Sequence, residues 1–399
     1  MHRRSCFPAF ALAFAAAAAG CEDGTGPDDD RRPLDPRLVA EGLEIFRFDT
    51  FGDEVYWTET ARLHEVIEGG VSPALALQVG LKVDVDALPQ AIRDAIAAGD
   101  VDLDDPETTV TLLKLGAVLG VQGTVETISG RDSLTSVGIT CALCHSSVDD
   151  SFAPGIGRRL DGWANTDLDV GTIVALSPAI DADLKAILRA WGPGKYDPRI
   201  NIDGENTPLV IPPAYGLRGV ELETYTGDGP VSYWNAYVAV TQMHGQGTFI
   251  DPRIGVEVVN VPDLVTPKLA ALREYQLSLE IPDPPAGSYD VAAAARGRAL
   301  FAGEARCGTC HLPRDHFTDV NRGRLHDPEE TGMNAAYAAR TATGEYRTTP
   351  LRALWQHAPY FHDGSANTLD AVVEHYVGVL ELELSAGEKE DLVEYLKSL

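Results

Sequence analysis

Two five-residue stretches carry the chemistry of this chain: Cys141-Ala-Leu-Cys144-His145 and Cys307-Gly-Thr-Cys310-His311. Two thiols separated by two residues can form thioethers with the vinyl groups of one porphyrin, and a histidine directly after them can bring its imidazole beneath the iron. Cys-x-x-Cys-His is thus the attachment signature of a c-type haem. A zinc site built from two Cys-x-x-Cys pairs usually has them roughly 12 to 20 residues apart, whereas Cys144 and Cys307 are separated by far more chain. A thioredoxin-like dithiol has no need of the following histidine. The expected cofactors are two covalent haem c groups, attached through Cys141, Cys144, Cys307 and Cys310, with His145 and His311 as proximal iron ligands.

The segments that must position these groups follow each motif in a common order. After His145 come Asn206-Thr207-Pro208-Leu209, a Gly227-Asp228-Gly229 turn and a helix-like run from Ser232 to Met243-His244. After His311 come Thr348-Thr349-Pro350-Leu351, Tyr360-Phe361-His362-Asp363-Gly364 and a helix-like run from Thr368 to about Tyr376. The shared order points to an internal duplication, with Pro282 to Gly287 as a Pro-rich linker. In the later helix, Leu369, Val372, Val373 and Tyr376 share one face, while His375 sits about 100 degrees away. Tyr376 is therefore expected to point inward. In the earlier run, Tyr233, Tyr237, Val240 and His244 share a face, and Ala236, Ala239, Val240 and Met243 an adjoining one, so periodicity leaves Met243 and His244 both open as distal ligand of the first haem. Met would raise its potential and His would lower it.

The C-terminal third resembles the catalytic-haem half of the bacterial dihaem cytochrome c peroxidase and MauG-like group. The matching stretches are Ala295-Arg-Gly-Arg-Ala-Leu-Phe301, Tyr346-Arg-Thr-Thr-Pro-Leu-Arg352 and Ala358-Pro-Tyr-Phe-His-Asp-Gly364 followed by Thr368-Leu369. Leu384 to Leu399 also resembles the closing helix of many c-type cytochromes, which packs across the opening one. The resemblance implies a distal ligand to the second haem eight residues after Thr368, which is Tyr376; peroxidases usually have Met there and MauG-like members Tyr. A phenolate is a hard anionic donor that favours ferric iron. The other reading is a Tyr packed on the core with its hydroxyl bonded elsewhere. His362 lies in a matching stretch and stands beside Tyr376 as a catalytic candidate, with a turn-stabilising role as the alternative. His316, His326, His357 and Trp355 are weaker candidates.

The 399 residues, 44% hydrophobic, are enough for more than one core. Residues 1–20, with Arg3, Arg4 and an Ala-rich apolar run, match a secretory signal peptide. Ala18-Ala19-Gly20-Cys21 resembles a lipoprotein processing site, which would make Cys21 a lipidated membrane anchor; ordinary cleavage to a soluble periplasmic protein is the alternative. Residues 21–36 read as a flexible tether, 37–129 as an N-terminal helical region, 130–284 as the first cytochrome c-like haem domain and 285–399 as the second. Within 37–129, Leu88 to Ala98 reads as an amphipathic helix ending at Gly99, and Thr109 to Leu119 as another. The fold class expected is mainly all-α, with an N-terminal helical extension. A net charge of -28 argues against nucleic acid as a partner and suits a basic redox protein as donor or acceptor, or a small molecule such as hydrogen peroxide. The expected function is electron transfer by an exported dihaem cytochrome, the alternatives being a peroxidase or MauG-like oxidoreductase and a non-enzymatic subunit of a larger redox complex.

Overall fold

The computed structural model describes residues 32–399; the signal segment, Cys21 and most of the tether lie outside the described residues. Seven helices and one long hairpin organise the chain. They are α1 (Pro36–Phe48), α2 (Pro106–Lys114), β1 (Val121–Ile128), β2 (Arg131–Ile139), α3 (Val231–Tyr237), α4 (Leu269–Ser278), α5 (Val291–Ala302), α6 (Leu369–Val379) and α7 (Ala386–Lys397).

Local chemistry sets their ends. Pro36 opens α1, and the Asp35 carboxylate accepts from Arg37 N–H. Asp290 and Thr368 cap α5 and α6 in the same way, and Ser385 with Glu388 forms a reciprocal capping box on α7.

The structure pairs these helices twice in one pattern. α1 crosses α4 so closely that a Cβ added at Gly42 would lie 2.0 Å from the carbonyl oxygen of Ala271. α5 crosses α7 in the same manner, and a Cβ at Gly297 would lie 1.9 Å from the Asp391 carbonyl oxygen. One turn further on, Phe46 packs on Tyr275 with ring centroids 5.4 Å apart, and Phe301 on Tyr395 at 5.3 Å. Gly-x-x-x-Phe on the opening helix thus meets a Tyr on the closing helix in both halves.

This arrangement corrects the expected division of the chain. Residues 37–129 are not one helical extension, because their first stretch is the opening helix of the first motif's own unit. Between α1 and Cys141 the chain makes a long excursion through helices Leu63–Gly70, Pro73–Gln78, Gln90–Ala98 and α2, and then the hairpin. The border expected at 129/130 falls in the hairpin turn, where Ser129 and Gly130 both adopt positive φ. β1 and β2 pair antiparallel from Val121↔Ile139 to Ile128↔Arg131. Their alternating β-branched residues and the Ser-Gly turn specify a hairpin that helical periodicity misses.

The two ends of the excursion are fastened side by side. Thr140 Oγ1 donates to the Arg47 carbonyl at 3.1 Å, and Ile139 N–H reaches both Asp53 carboxylate oxygens at 3.2 and 3.3 Å. The excursion also shares its apolar core with the first motif: Trp57, Leu113, Val137, Leu143 and Ile156 belong to one buried cluster. The end of the tether is anchored too, since Arg32 makes a two-pronged contact with Glu274 of α4 at 2.8 and 2.6 Å.

The helix expected to end at Gly99 spans Gln90–Ala98, with Gly99 at φ 76. The helix expected over 109–119 is shifted, beginning at Pro106 and stopping at Lys114. The described residues are predominantly helical but include five two-stranded ladders. No helix among them is long and apolar enough to cross a membrane.

Candidate functional site

Both motifs present their histidine in the same way. His145 Nδ1 faces the Pro212 carbonyl at 2.9 Å, and His311 Nδ1 faces the Phe317 carbonyl at 3.1 Å. A carbonyl only accepts, so Nδ1 carries the proton in each ring and Nε2 keeps its lone pair for a metal. Burial drives the His145 pKa down to about 4 against the opposing Pro212 hydrogen bond, and it lowers that of His311 as well. Both rings are therefore neutral at physiological pH, as an iron ligand must be.

The four motif cysteines are free of disulfides. Burial pushes Cys141 and Cys144 up to about 12 and Cys307 to about 11. A redox-active dithiol lowers its thiol pKa, so these sulfurs do not suit that chemistry. Thioether formation carries no such requirement.

Around the second motif lies a cavity of about 350 Å³ lined by Cys307, Cys310 and His311, by the Thr349-Pro350-Leu351-Arg352 stretch, by His362 and by Leu369, Val373 and Tyr376 of α6. The motif and the stretches that follow it in sequence thus converge on one space. It is largely apolar but has two buried cations on its wall. Arg352 is 8% exposed, and its Nη2 has no hydrogen-bond partner; Arg347 is ion-paired with Glu223 at 3.0 Å, although its Nε has no partner. Burial pulls Arg352 down to about 10, which still leaves it cationic at neutral pH. Orphaned guanidinium donors in an apolar cavity fit the two carboxylates of a haem, while the thiols and the imidazole fit its vinyl groups and iron. Sequence reasoning misses both arginines, although Arg352 directly follows the Thr-Pro-Leu signal.

Tyr376 faces this cavity, and burial pushes its hydroxyl up to about 12, with the neighbouring Cys307 and Cys310 sulfurs adding to the rise. His375 turns away, its Nε2 donating to the Thr331 carbonyl at 2.8 Å. His362 is also on the wall. The Tyr346 hydroxyl donates to Asn334 O at 2.6 Å, so at 3.0 Å it accepts from His362 Nε2. His362 is thus held in place by a stacked, hydrogen-bonded tyrosine. His326 and His357 line the cavity as well. His326 lies between Asp319 at 3.1 Å and Glu330 at 2.8 Å, and burial takes His357 down to about 4.

The two distal candidates near the first motif sit differently. Met243 is buried with Phe46, Ala142 and Tyr275. His244 stacks on Tyr56 with centroids 3.5 Å apart and meets the edge of Trp57, whose indole N–H donates to the Met243 carbonyl at 3.0 Å. The helical run carrying them becomes π-helical over Val238–Gln242, so the regular spacing used to compare their faces does not hold there.

One segment serves both motifs. Pro212, whose carbonyl holds His145, also lines the second cavity, as do Val210 and Tyr215. Beside it, Trp163 stands edge-on to Tyr215 (6.4 Å) and to Trp355 (5.8 Å). The halves are joined further by Leu209 packed with Tyr337 and Tyr346 and by Arg340 bound to Asp197 at 2.8 Å and Asp203 at 2.7 Å.

No family model matches the chain. The methylamine utilization protein MauG of Methylorubrum extorquens is 33% identical over 129 residues, covering 27% of this chain and 34% of that protein. The cytochrome-c peroxidase IdrP2 of Denitromonas iodatirespirans is 33% identical over 140 residues, covering 26% of this chain and 38% of that protein. The chain thus spans little more than a third of the curated relatives it matches. Among solved structures, a MauG-like protein associated with microbial copper homeostasis aligns at TM-score 0.34 and 22% identity, over 49% of this chain and 74% of that one. A hydrazine synthase of Kuenenia stuttgartiensis gives TM-score 0.34 and 20% identity, over 48% of this chain and 73% of that one. Over about a quarter of its length the chain is similar to MauG and to a cytochrome-c peroxidase.

Proposed function

We propose that this chain is an exported dihaem c-type cytochrome that moves electrons between two covalently attached haems. The observation that carries the proposal is the shared segment: Pro212 fixes His145 through its carbonyl and also lines the cavity of the second motif. A haem bound at each motif supplies one-electron redox chemistry at its iron.

The chain's own residues do the rest. Cys141, Cys144, Cys307 and Cys310 tether the groups, and His145 and His311 ligate them with neutral imidazoles. Arg352, helped by the Nε of Arg347, would hold a carboxylate of the second group, and the apolar face from Leu369 to Tyr376 would keep water from it. Trp163, Tyr215 and Trp355 place aromatic rings in mutual contact beside the shared segment. Met243 or His244 would supply the distal ligand of the first haem.

Tyr376 favours a second reading, a MauG-like or peroxidase-like oxidoreductase that reduces hydrogen peroxide at the second haem. A phenol presented to an iron from the cavity wall favours the ferric state, which suits oxidising chemistry better than simple relay. His362, held by Tyr346, then stands as the other polar group positioned at that cavity. Lipid anchoring at Cys21, a periplasmic location and a redox protein as electron partner belong to this proposal, as does the subunit role in a larger redox complex.

Optical and EPR spectra of the purified protein in both oxidation states, followed by peroxide addition to the half-reduced form, test both readings. Electron transfer alone predicts two low-spin haems and no peroxide-driven change. A change confined to the second haem supports the oxidoreductase. Tyr376→Phe is expected to alter the ferric spectrum of the second haem; an unchanged spectrum removes the ligand.

A further inference from the structure

We infer that the excursion between α1 and the first motif contains a binding site for an uncharged, apolar molecule bearing one hydrogen-bond acceptor, such as an aryl ketone. The site is a cavity of about 410 Å³, walled by Trp57, Ile67, Leu77, Leu112, Val137 and Leu143 among others. It shares no lining residue with the cavity of the second motif, and neither Cys141, Cys144 nor His145 borders it. It is therefore a separate space rather than part of a haem pocket.

Size points to an occupant. Small-molecule sites are mostly apolar clefts of about 300 to 1,000 Å³ with a few placed polar groups, and a void lined by aliphatic side chains is destabilising when nothing fills it. An apolar cavity of about 150 Å³ takes up benzene. In proportion, 410 Å³ accommodates about 16 non-hydrogen atoms.

The polar group is Thr109. α2 has three threonines, and two have conventional partners: Thr108 Oγ1 donates to the Asp102 carbonyl at 2.9 Å and Thr111 Oγ1 to the Glu107 carbonyl at 3.0 Å. Thr109 lines the cavity, is only 5% exposed, and its hydroxyl has no partner. A buried hydroxyl left unpaired is costly. An acceptor on the occupant satisfies it.

The rim sets the charge. Val101 and Leu103 border the cavity, while Asp100, Asp102 and Asp104 alternate with them and are exposed. Asp105 and Glu107 also stand on the lining. This acidic collar disfavours carboxylates and other anions, which leaves a neutral molecule as the occupant.

The test is isothermal titration calorimetry on the purified holoprotein with three probes: 2-acetonaphthone, 2-isopropylnaphthalene, which has as many non-hydrogen atoms but no acceptor, and 2-naphthoate. The ketone is expected to bind, with the hydrocarbon and the anion each weaker by about tenfold or more. Thr109→Val, which keeps the shape, should cost the ketone about tenfold and leave the hydrocarbon unchanged. Ala76→Phe, which fills the cavity, should abolish binding of all three. Absence of ketone binding up to its solubility limit overturns the proposal, as does equal affinity in Thr109→Val, a variant conservative enough to fold if Ala76→Phe does not. Calorimetry reads this site without reference to electron transfer, so its failure leaves the haem reading standing.

Discussion

The two Cys-x-x-Cys-His stretches are reached by routes of very different length. In the second half α5 ends at Ala302 and the motif begins at Cys307. In the first half α1 ends at Phe48, and most of an apolar core is laid down before Cys141, to be completed by Leu143, Ile156 and Leu168 after it. The helix crossings are nevertheless alike, glycine against carbonyl and phenylalanine against tyrosine. The unit tolerates the long excursion because its ends return to the same place, where Thr140 meets Arg47 and Ile139 meets Asp53. Loop-closure entropy grows only slowly with length, so a fastened insertion disturbs the crossing little. What the insertion adds is a cavity that the second half has no counterpart for in its short connection from Phe301 to Cys307.

The comparison can be broken most directly at the motifs. Replacing Cys307 and Cys310 together by Ala should remove one covalent haem from the intact mass, and the Cys141/Cys144 pair should remove the other. A protein that loses both haems, or neither, in either variant would refute two independent attachment sites.

The equivalence of the crossings is sharpened next. Gly42→Ala and Gly297→Ala should each destabilise the chain by about 1–3 kcal/mol through overpacking against a backbone carbonyl, measured from urea unfolding. A negligible loss at Gly42 alone would mean that α1 is not the counterpart of α5.

A third test concerns the fastening of the insertion. Burial holds the Asp53 pKa up at about 9, against the Ile139 hydrogen bond that favours its ionised form. The unfolded chain releases that proton near pH 4, so Asp53 costs stability increasingly as pH rises from about 4 to about 9 and costs none below the lower value. Asp53→Asn should therefore lose less stability than wild type between pH 5 and pH 8.5, by up to about 4–5 kcal/mol. Parallel pH profiles for the two proteins would show that the carboxyl is already ionised in the folded state.

Much of the second half is legible in the sequence. The helix cap at Thr368, the inward face ending at Tyr376 and the closing helix are all local signals, and the fold keeps each of them. The first half is less so. Gly42 and Phe46 repeat the spacing of Gly297 and Phe301, but α1 stands so far from Cys141 in sequence that nothing local connects the repeat to the motif. The Ser129-Gly130 turn reads as a border because helical periodicity fades there, whereas the strand alternation on either side makes it the tip of a hairpin. The π-helical turn at Val238–Gln242 also undoes the face comparison between Met243 and His244.

The sequence by itself carried the attachment chemistry we propose, since thioether formation needs only the order Cys-x-x-Cys-His on a short backbone turn. It determined as well which residue of α6 faces inward, because helical period is a local property. Only the tertiary structure decided that residues 36–48 belong to the first motif, that Arg347 and Arg352 share a cavity with Tyr376, that Pro212 joins the two sites, and that Thr109 is left without a partner. Each of these depends on contacts between residues far apart in the chain. Such contacts are fixed by packing and burial across the whole fold, and no local spacing encodes them.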